Sequence, residues 1–407
     1  MTPPRMELVG SGVKFTWTDY QITVQLDRFR DSHSAGTKAE LSAFALTDGI
    51  AHMITQGQMN LTAVRSRSDF ARRLHELHPC AGWDHIIENC AVHGLRLLRQ
   101  GEPVIALQPA TSAHVSFALN PLIYTNHQTL FYAPGGSLKS YLALYLALLA
   151  CHGATEHGLS ALAGPVLYCD WELNSETVGG RLKALRAGHP ELTLVTPFYR
   201  RCEAPLHQEA AQIAASVGEL GIRLLIVDSA AMACGGDLNS PDTVIKLTAA
   251  LRQINCSSLV LAHISKNTQE GQDKSAYGSV FFRELARNVW ELERAEGDQP
   301  VRVILSQKKN NFGPTHAPLA FTFSFGVESV QVSACDPTEE PAFEDKLPLV
   351  SRIRNLLEDG TPRTADEIAG ALGANVRSIK TKLSAHHKTK WHRIGDYHDG
   401  QWTVLNR

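Results

Sequence analysis

No stretch of about 18 uninterrupted apolar residues occurs in this 407-residue chain, so no membrane span is expected. The longest apolar run, Tyr141–Cys151, is too short. The opening Met-Thr-Pro-Pro-Arg-Met-Glu lacks the apolar core of a secretion signal. Eight cysteines, Cys80, Cys90, Cys151, Cys169, Cys202, Cys234, Cys256 and Cys335, include no CxxC pair. That argues against a disulfide framework and a structural zinc site, and for buried free thiols in a reducing cytoplasm. The 18 histidines are dispersed, so a metal cluster is not expected. Neither charge sign dominates: 39 Lys and Arg against 41 Asp and Glu give −2, which excludes a wholly basic nucleic-acid binder. Internal repeats and low-complexity tracts are missing too.

What is present is globular: 43% apolar and 20% charged residues, enough for several domains. Residues 1–57 read as short strands, with Val13–Thr18, Gln21–Leu26 and Lys38–Leu46 as candidates. Arg67–Leu77 and Trp83–Arg99 carry apolar residues three and four apart and read as helices. Together, residues 1–110 form an expected N-terminal α+β accessory domain, with docking or assembly as its default role and a protein partner as its counterpart. Residues 126–334 alternate strands and helices. The expected strands are Leu130–Tyr132, Val166–Cys169, Leu192–Val195, Leu224–Val227, Ser258–Ala262, Val301–Ser306, Leu319–Phe325 and Ser329–Ser333. That alternation gives an α/β fold, a doubly wound and mostly parallel sheet, with an antiparallel extension at one edge. Residues 335–346, with the acidic Asp336–Lys346, read as a linker. Residues 347–407 form a last compact zone.

The most informative residues are Ala133-Pro134-Gly135-Gly136-Ser137-Leu138-Lys139-Ser140-Tyr141, between an apolar strand and an apolar helix. A phosphate loop needs this context: glycines let backbone N–H groups converge on phosphate oxygens, and the helix start favours negative charge. Lys139 would reach the β- and γ-phosphates, and Ser140 would offer its hydroxyl to Mg²⁺. Ala133 and Leu138 stand where the full pattern has glycine. Three further strands end in polar residues. The strand 224–227 leads to Asp228, a second Mg²⁺ residue or a plain helix cap. Val166–Cys169 leads to Asp170 and Glu172; Glu172 is the first choice for polarising an attacking water, with Asp170 in reserve. The strand 258–262 ends at His263, a sensor of the γ-phosphate or an ordinary strand-end histidine, followed by the polar loop Ser265–Ser279 with Lys266 and Lys274.

This order of motifs resembles the RecA-like ATPase core, and more closely the plasmid RepA-type and DnaB-type hexameric helicases of the AAA_25 group. The resemblance covers about residues 126–334. It implies ATP and Mg²⁺ as cofactors and catalytic roles for Glu172, Lys139, Asp228 and His263. It also implies a homo-oligomer, a ring of six, with nucleotide between subunits and single-stranded DNA through the centre, touched by Lys266 and Lys274. The family carries Lys-x-Arg on a late strand, the Arg reaching a neighbour's nucleotide. Here Lys308 and Lys309 are the available cations, and Asn311 stands at the Arg position. Lys lacks the planar fork of Arg, which favours ATP binding over fast turnover.

Residues 347–407 read as three helices and a hairpin. Thr364-Ala-Asp-Glu367 is a capping box, Gly373 ends its helix, and Arg377, Lys380 and Lys382 lie on the next. The pattern looks like a winged helix. From Lys346 onward, 11 Lys and Arg oppose 6 Asp and Glu, giving +5 against −7 for the rest. A basic module on an acidic body suggests duplex DNA, with Arg377, Lys380 and Lys382 as contacts; winged helices also dock proteins. Two functional classes follow. One is a DNA-dependent P-loop ATPase, a helicase-like motor or loader in replication, recombination or mobile-element biology. The other is an ATP-gated DNA-binding regulator that hydrolyses slowly or not at all. A small-molecule kinase would need an acceptor site, and none is visible.

Overall fold

The computed structural model describes residues 3–405, except 10–11, 31–35, 48–49, 80–81, 101–103, 105, 110–114, 238–239, 264–279, 296, 298, 339 and 396–399. The first elements are β1 (Arg5–Val9), β2 (Gly12–Trp17), β3 (Ile22–Arg30), β4 (Lys38–Thr47), β5 (Ile50–Asn60), α1 (Val64–Leu77) and α2 (Trp83–Gln100). Next come β6 (Phe117–Asn120), β7 (Ile123–Tyr124), β8 (Gln128–Ala133), α3 (Lys139–His152), β9 (Thr155–Glu156), β10 (Leu159–Ala161), β11 (Val166–Asp170) and α4 (Ser175–Gly188). Then follow β12 (Phe198–Arg201), α5 (Leu206–Glu219), β13 (Leu224–Asp228), α6 (Ala230–Ala233), α7 (Pro241–Ile254), β14 (Ser257–His263), α8 (Val280–Leu285) and β15 (Asn288–Arg294). The chain ends with β16 (Val301–Asn310), β17 (Leu319–Phe325), β18 (Val330–Cys335), α9 (Leu349–Leu357), α10 (Ala365–Leu372), α11 (Val376–Ala385), β19 (Trp391–Ile394) and β20 (Gln401–Val404).

The chain divides into two compact units, Met1–Ala113 with Gln208–Gly221, and His114–His207 with Ile222–Arg407. In the first, β1 to β5 form an antiparallel sheet in sequence order. Alternate residues Val13, Phe15 and Trp17 of β2 and Ile22, Val24 and Leu26 of β3 are buried with Leu74 of α1 and Ile86 of α2. The expected accessory sheet is therefore a meander whose β4 and β5 are long.

The second unit is built on a nine-stranded sheet in the order β12-β11-β13-β14-β8-β15-β16-β17-β18. β12 through β15 run parallel, and β16, β17 and β18 continue it antiparallel. The mixed α/β architecture with a parallel-rich sheet agrees with a RecA-like fold. β11 and β13 are buried at every residue, which is why they read as continuous apolar runs. α3 is buried all round from Leu142 to Cys151, so it has no polar face. One expected strand is misplaced. Leu192 closes a 3-10 turn begun by Pro190, and Leu194 is 89% exposed. The strand comes later, at Phe198–Arg201, as the sheet's edge.

α4 is fixed at its far end. A Cβ on Gly188 would lie 2.2 Å from the carbonyl oxygen of Val330, so only glycine lets the helix meet the β18 backbone. Next to it, His189 Nε2 accepts the Val332 N–H at 2.8 Å, while its Nδ1 meets Glu191 at 3.0 Å.

Segment 335–346, expected as a linker, is anchored. Its Pro341–Lys346 stretch is a 3-10 turn that buries Phe343 with Ile304 and Ala320. Arg302 pairs with Glu340 at 3.0 Å and Lys346 with Glu293 at 2.9 Å. Beyond it, α9, α10, α11 and the β19–β20 hairpin enclose Ile353, Ile368, Ile379, Leu383 and Trp391. Among the described residues, every cysteine is free and all but Cys335 are buried.

Candidate nucleotide site

The site lies at the C-terminal ends of the parallel strands, where α/β sheets place ligands. β8 ends at Ala133, the loop 134–138 follows, and α3 begins at Lys139. Gly136 has φ +75°. Leu138 caps α3 with φ 65° and ψ 20°, the left-handed region that glycine occupies without penalty. A non-glycine residue there costs about 1–2 kcal/mol. The leucine side chain offsets this by packing against the core. A Cβ on Gly135 or Gly136 would meet nothing, so both leave bare backbone facing open space. A cavity of about 440 Å³ opens there, lined by Pro134, Gly135, Gly136, Ser137, Arg294 and Gly297.

Lys139 is only 6% exposed. Its Nζ donates to the carbonyls of Ala133 at 3.1 Å and Pro134 at 3.0 Å, and lies 3.4 Å from Nδ1 of His263. Burial pushes its pKa down to about 8, against the upward pull of Asp228 and Glu172. Ser137 also donates to Pro134, at 2.7 Å.

His263, at the end of β14, joins two groups. Nδ1 faces Lys139, and Nε2 lies 3.6 Å from Oε1 of Glu172. With Lys139 protonated, one tautomer serves both contacts: Nδ1 accepts and Nε2–H points at the carboxylate. Ser229 donates a hydrogen bond to the same Glu172 oxygen. The approach of His263 is the largest cause holding the Glu172 carboxyl below its ordinary range; partial burial opposes it, and Ser229 and the charge of Lys139 assist.

Asp228, at the end of β13, is buried and accepts from Tyr168 at 2.5 Å. Burial pushes its pKa up, while hydrogen bonds from Tyr168 and Ser140 pull it down. Asp170 has a different task. Only 1% exposed, it accepts the N–H groups of Glu172 at 2.9 Å and Leu173 at 3.0 Å, and the hydroxyl of Tyr199 at 3.1 Å. Its carboxylate shapes the turn that presents Glu172.

Pro134 through Ser140, Glu172, Asp228 and His263 are thus brought together. The ring of Tyr141 packs edge-on against Phe325 at 5.4 Å and beneath Arg181 at 5.2 Å. Lys308 and Lys309 are not gathered in. They lie on β16, near the level of mid-β8, through the pairs Val289–Lys309 and Val289–Leu130. Lys308 pairs with Glu291 at 2.9 Å, and Lys309 donates to the Arg283 and Glu284 carbonyls at 3.1 and 2.7 Å. Lys266 and Lys274 lie outside the described residues. Arg377, Lys380 and Lys382 are all exposed on α11, with Lys380 3.8 Å from Asp366.

Three site residues were not picked out from sequence. Ser229, next to Asp228, carries no signal of its own in the sequence. Tyr168 carried a signal, since a tyrosine in a buried strand needs a partner for its hydroxyl. Arg294 ends a strand that the apolar pattern did not reveal.

Residues 101–269 match the family model AAA_25, an AAA domain. This part of the chain is similar to an AAA_25 domain. The match takes in Lys139, Ser140, Glu172, Asp228 and His263, and ends before Arg294, Lys308 and Lys309. No curated protein matches the chain. A P-loop domain of this kind binds a nucleoside triphosphate, typically with Mg²⁺. The residues fit both ligands: the bare glycine backbone leaves room for phosphates, and the Ser140 hydroxyl and Asp228 carboxylate adjoin each other as an ion's ligands must. A magnesium ion held there would neutralise phosphate charge. Among the described residues, no helix is long and apolar enough to cross a membrane.

Proposed function

We propose that the chain is a DNA-dependent ATPase, a helicase-like motor or loader for replication, recombination or mobile-element DNA. One observation carries the hydrolytic part: Lys139, His263 and Glu172 form a connected chain beside the phosphate loop. Glu172 stays ionised and is half-exposed, so it can accept a proton from a water attacking the γ-phosphate. Lys139 would leave its two carbonyls to meet the β- and γ-phosphates. His263 would feel that departure directly.

The DNA part rests on the C-terminal zone. Its three helices and hairpin follow the winged-helix order, and α11 exposes Arg377, Lys380 and Lys382. We place duplex DNA there. Single-stranded DNA through a ring of six copies, touched by Lys266 and Lys274, rests on the resemblance, as does a protein-docking role for residues 1–110.

A specific set of observations supports a second reading, an ATP-gated DNA-binding regulator. Leu138 occupies a glycine conformation, Lys139 is tied to its own loop, and Asn311 replaces the arginine. Steady-state ATP hydrolysis with and without single-stranded DNA, beside Lys139→Ala, separates the two. DNA-stimulated turnover lost in the variant supports the motor. ATP binding without turnover supports the regulator. Neither binding nor turnover sinks both.

A further inference from the structure

Resting on the reading of 133–140 as a nucleotide loop, we propose that Arg294 is an additional nucleotide-binding residue. Its guanidinium, supplied by the same chain, holds the α- and β-phosphates from the β15 side of the loop.

The placement follows from the sheet. β15 runs parallel beside β8, with Glu291 opposite Tyr132. Three residues on, β15 ends at Arg294, beside the loop that follows β8. Its Nη1 donates to the Gly136 carbonyl at 3.4 Å, a long bond to a neutral acceptor. Arg294 is exposed and makes no ion pair among the described residues. It is also the one charged residue among those described that line the cavity over Gly135 and Gly136. A planar fork of donors facing bare backbone amides suits phosphate oxygens better than a single carbonyl.

The flank decides which phosphates. Glu172, Asp228 and His263 come from β11, β13 and β14, all on the other side of β8. The γ-phosphate and the attacking water belong to that side. Arg294 therefore holds what ATP and ADP share, and it does not replace the missing arginine at Asn311. It is a binding residue, remote from the bond that breaks.

The test is calorimetric titration of the full chain with MgADP and with MgATPγS. Arg294→Ala should weaken both by the same factor, about tenfold. Arg294→Lys should recover part of that loss. Lys139→Ala should weaken MgATPγS more than MgADP, because it removes a γ-phosphate contact. If wild type binds and Arg294→Ala binds both nucleotides equally well, Arg294 has no role and the loop reading survives. A loss confined to MgATPγS overturns the assignment to the shared phosphates. A wild-type chain that binds neither nucleotide overturns the proposed function and this inference together. Should Arg294→Ala not fold, Arg294→Gln keeps most of the stem and is read by the same outcomes.

Discussion

At Lys139 a buried ammonium shares its protons with two carbonyls of its own loop. Its folded pKa of about 8 lies below the ordinary 10.5. Between those values the unfolded chain holds the proton that the folded chain has lost. Raising pH through this window therefore adds folding stability. Nucleotide binding has the opposite sign, because phosphate needs the ammonium. ATP affinity should hold below pH 7 and then fall, approaching tenfold per pH unit above about 8. Lys139→Ala should flatten that profile in a titration from pH 6.5 to 9.5. Glu172 sits low on its titration curve, so its removal acts on chemistry more than on charge. Glu172→Gln should keep ATP binding and cut turnover by roughly 10²–10⁴, read by filter binding beside phosphate release. Turnover equal to wild type would take Glu172 out of the mechanism.

At the scale of elements, α10 offers the cleanest test. Thr364 Oγ1 accepts the Glu367 N–H at 3.2 Å, and Glu367 accepts the Thr364 N–H at 2.8 Å. Thr364→Ala should cost about 1 kcal/mol and speed amide exchange over 365–372 about fivefold. Unchanged exchange would mean that packing, and not the cap, holds the helix start. This cap was legible because its residue types and spacing are local. The strand ends of the candidate site were legible for a related reason: β11, β13 and β14 are buried on both faces, so an acid or histidine at their ends stands out. Edge strands hide. Phe198–Arg201 carries two arginines and looks polar, while Leu192–Val195 looks apolar but is turned out to water after Pro190. β15 hides in the same way, because Glu291, Glu293 and Arg294 interrupt it. Its side chains meet partners across the sheet, such as Lys308 and Lys346, and no local pattern announces them.

At the scale of the whole molecule, charge is divided unevenly along the chain. The +5 from Lys346 onward stands against −7 elsewhere, so the net charge repels phosphate in general and attracts it locally. Replacing Arg377, Lys380 and Lys382 together with alanine should lower the slope of log affinity for duplex DNA against log salt by about 2 to 3. An unchanged slope would reassign α11 to protein contacts. The close approach of Gly188 to Val330 also acts at this scale. α4 starts three residues after Glu172, runs for 14 residues, or roughly 21 Å, and ends clamped to the sheet's outermost strand. It is a stiff rod with the Glu172 turn at one end and, at the other, an edge strand that His189 ties at Val332. Edge strand and acid are thus two ends of one rigid piece, and a shift of either would be felt at the other.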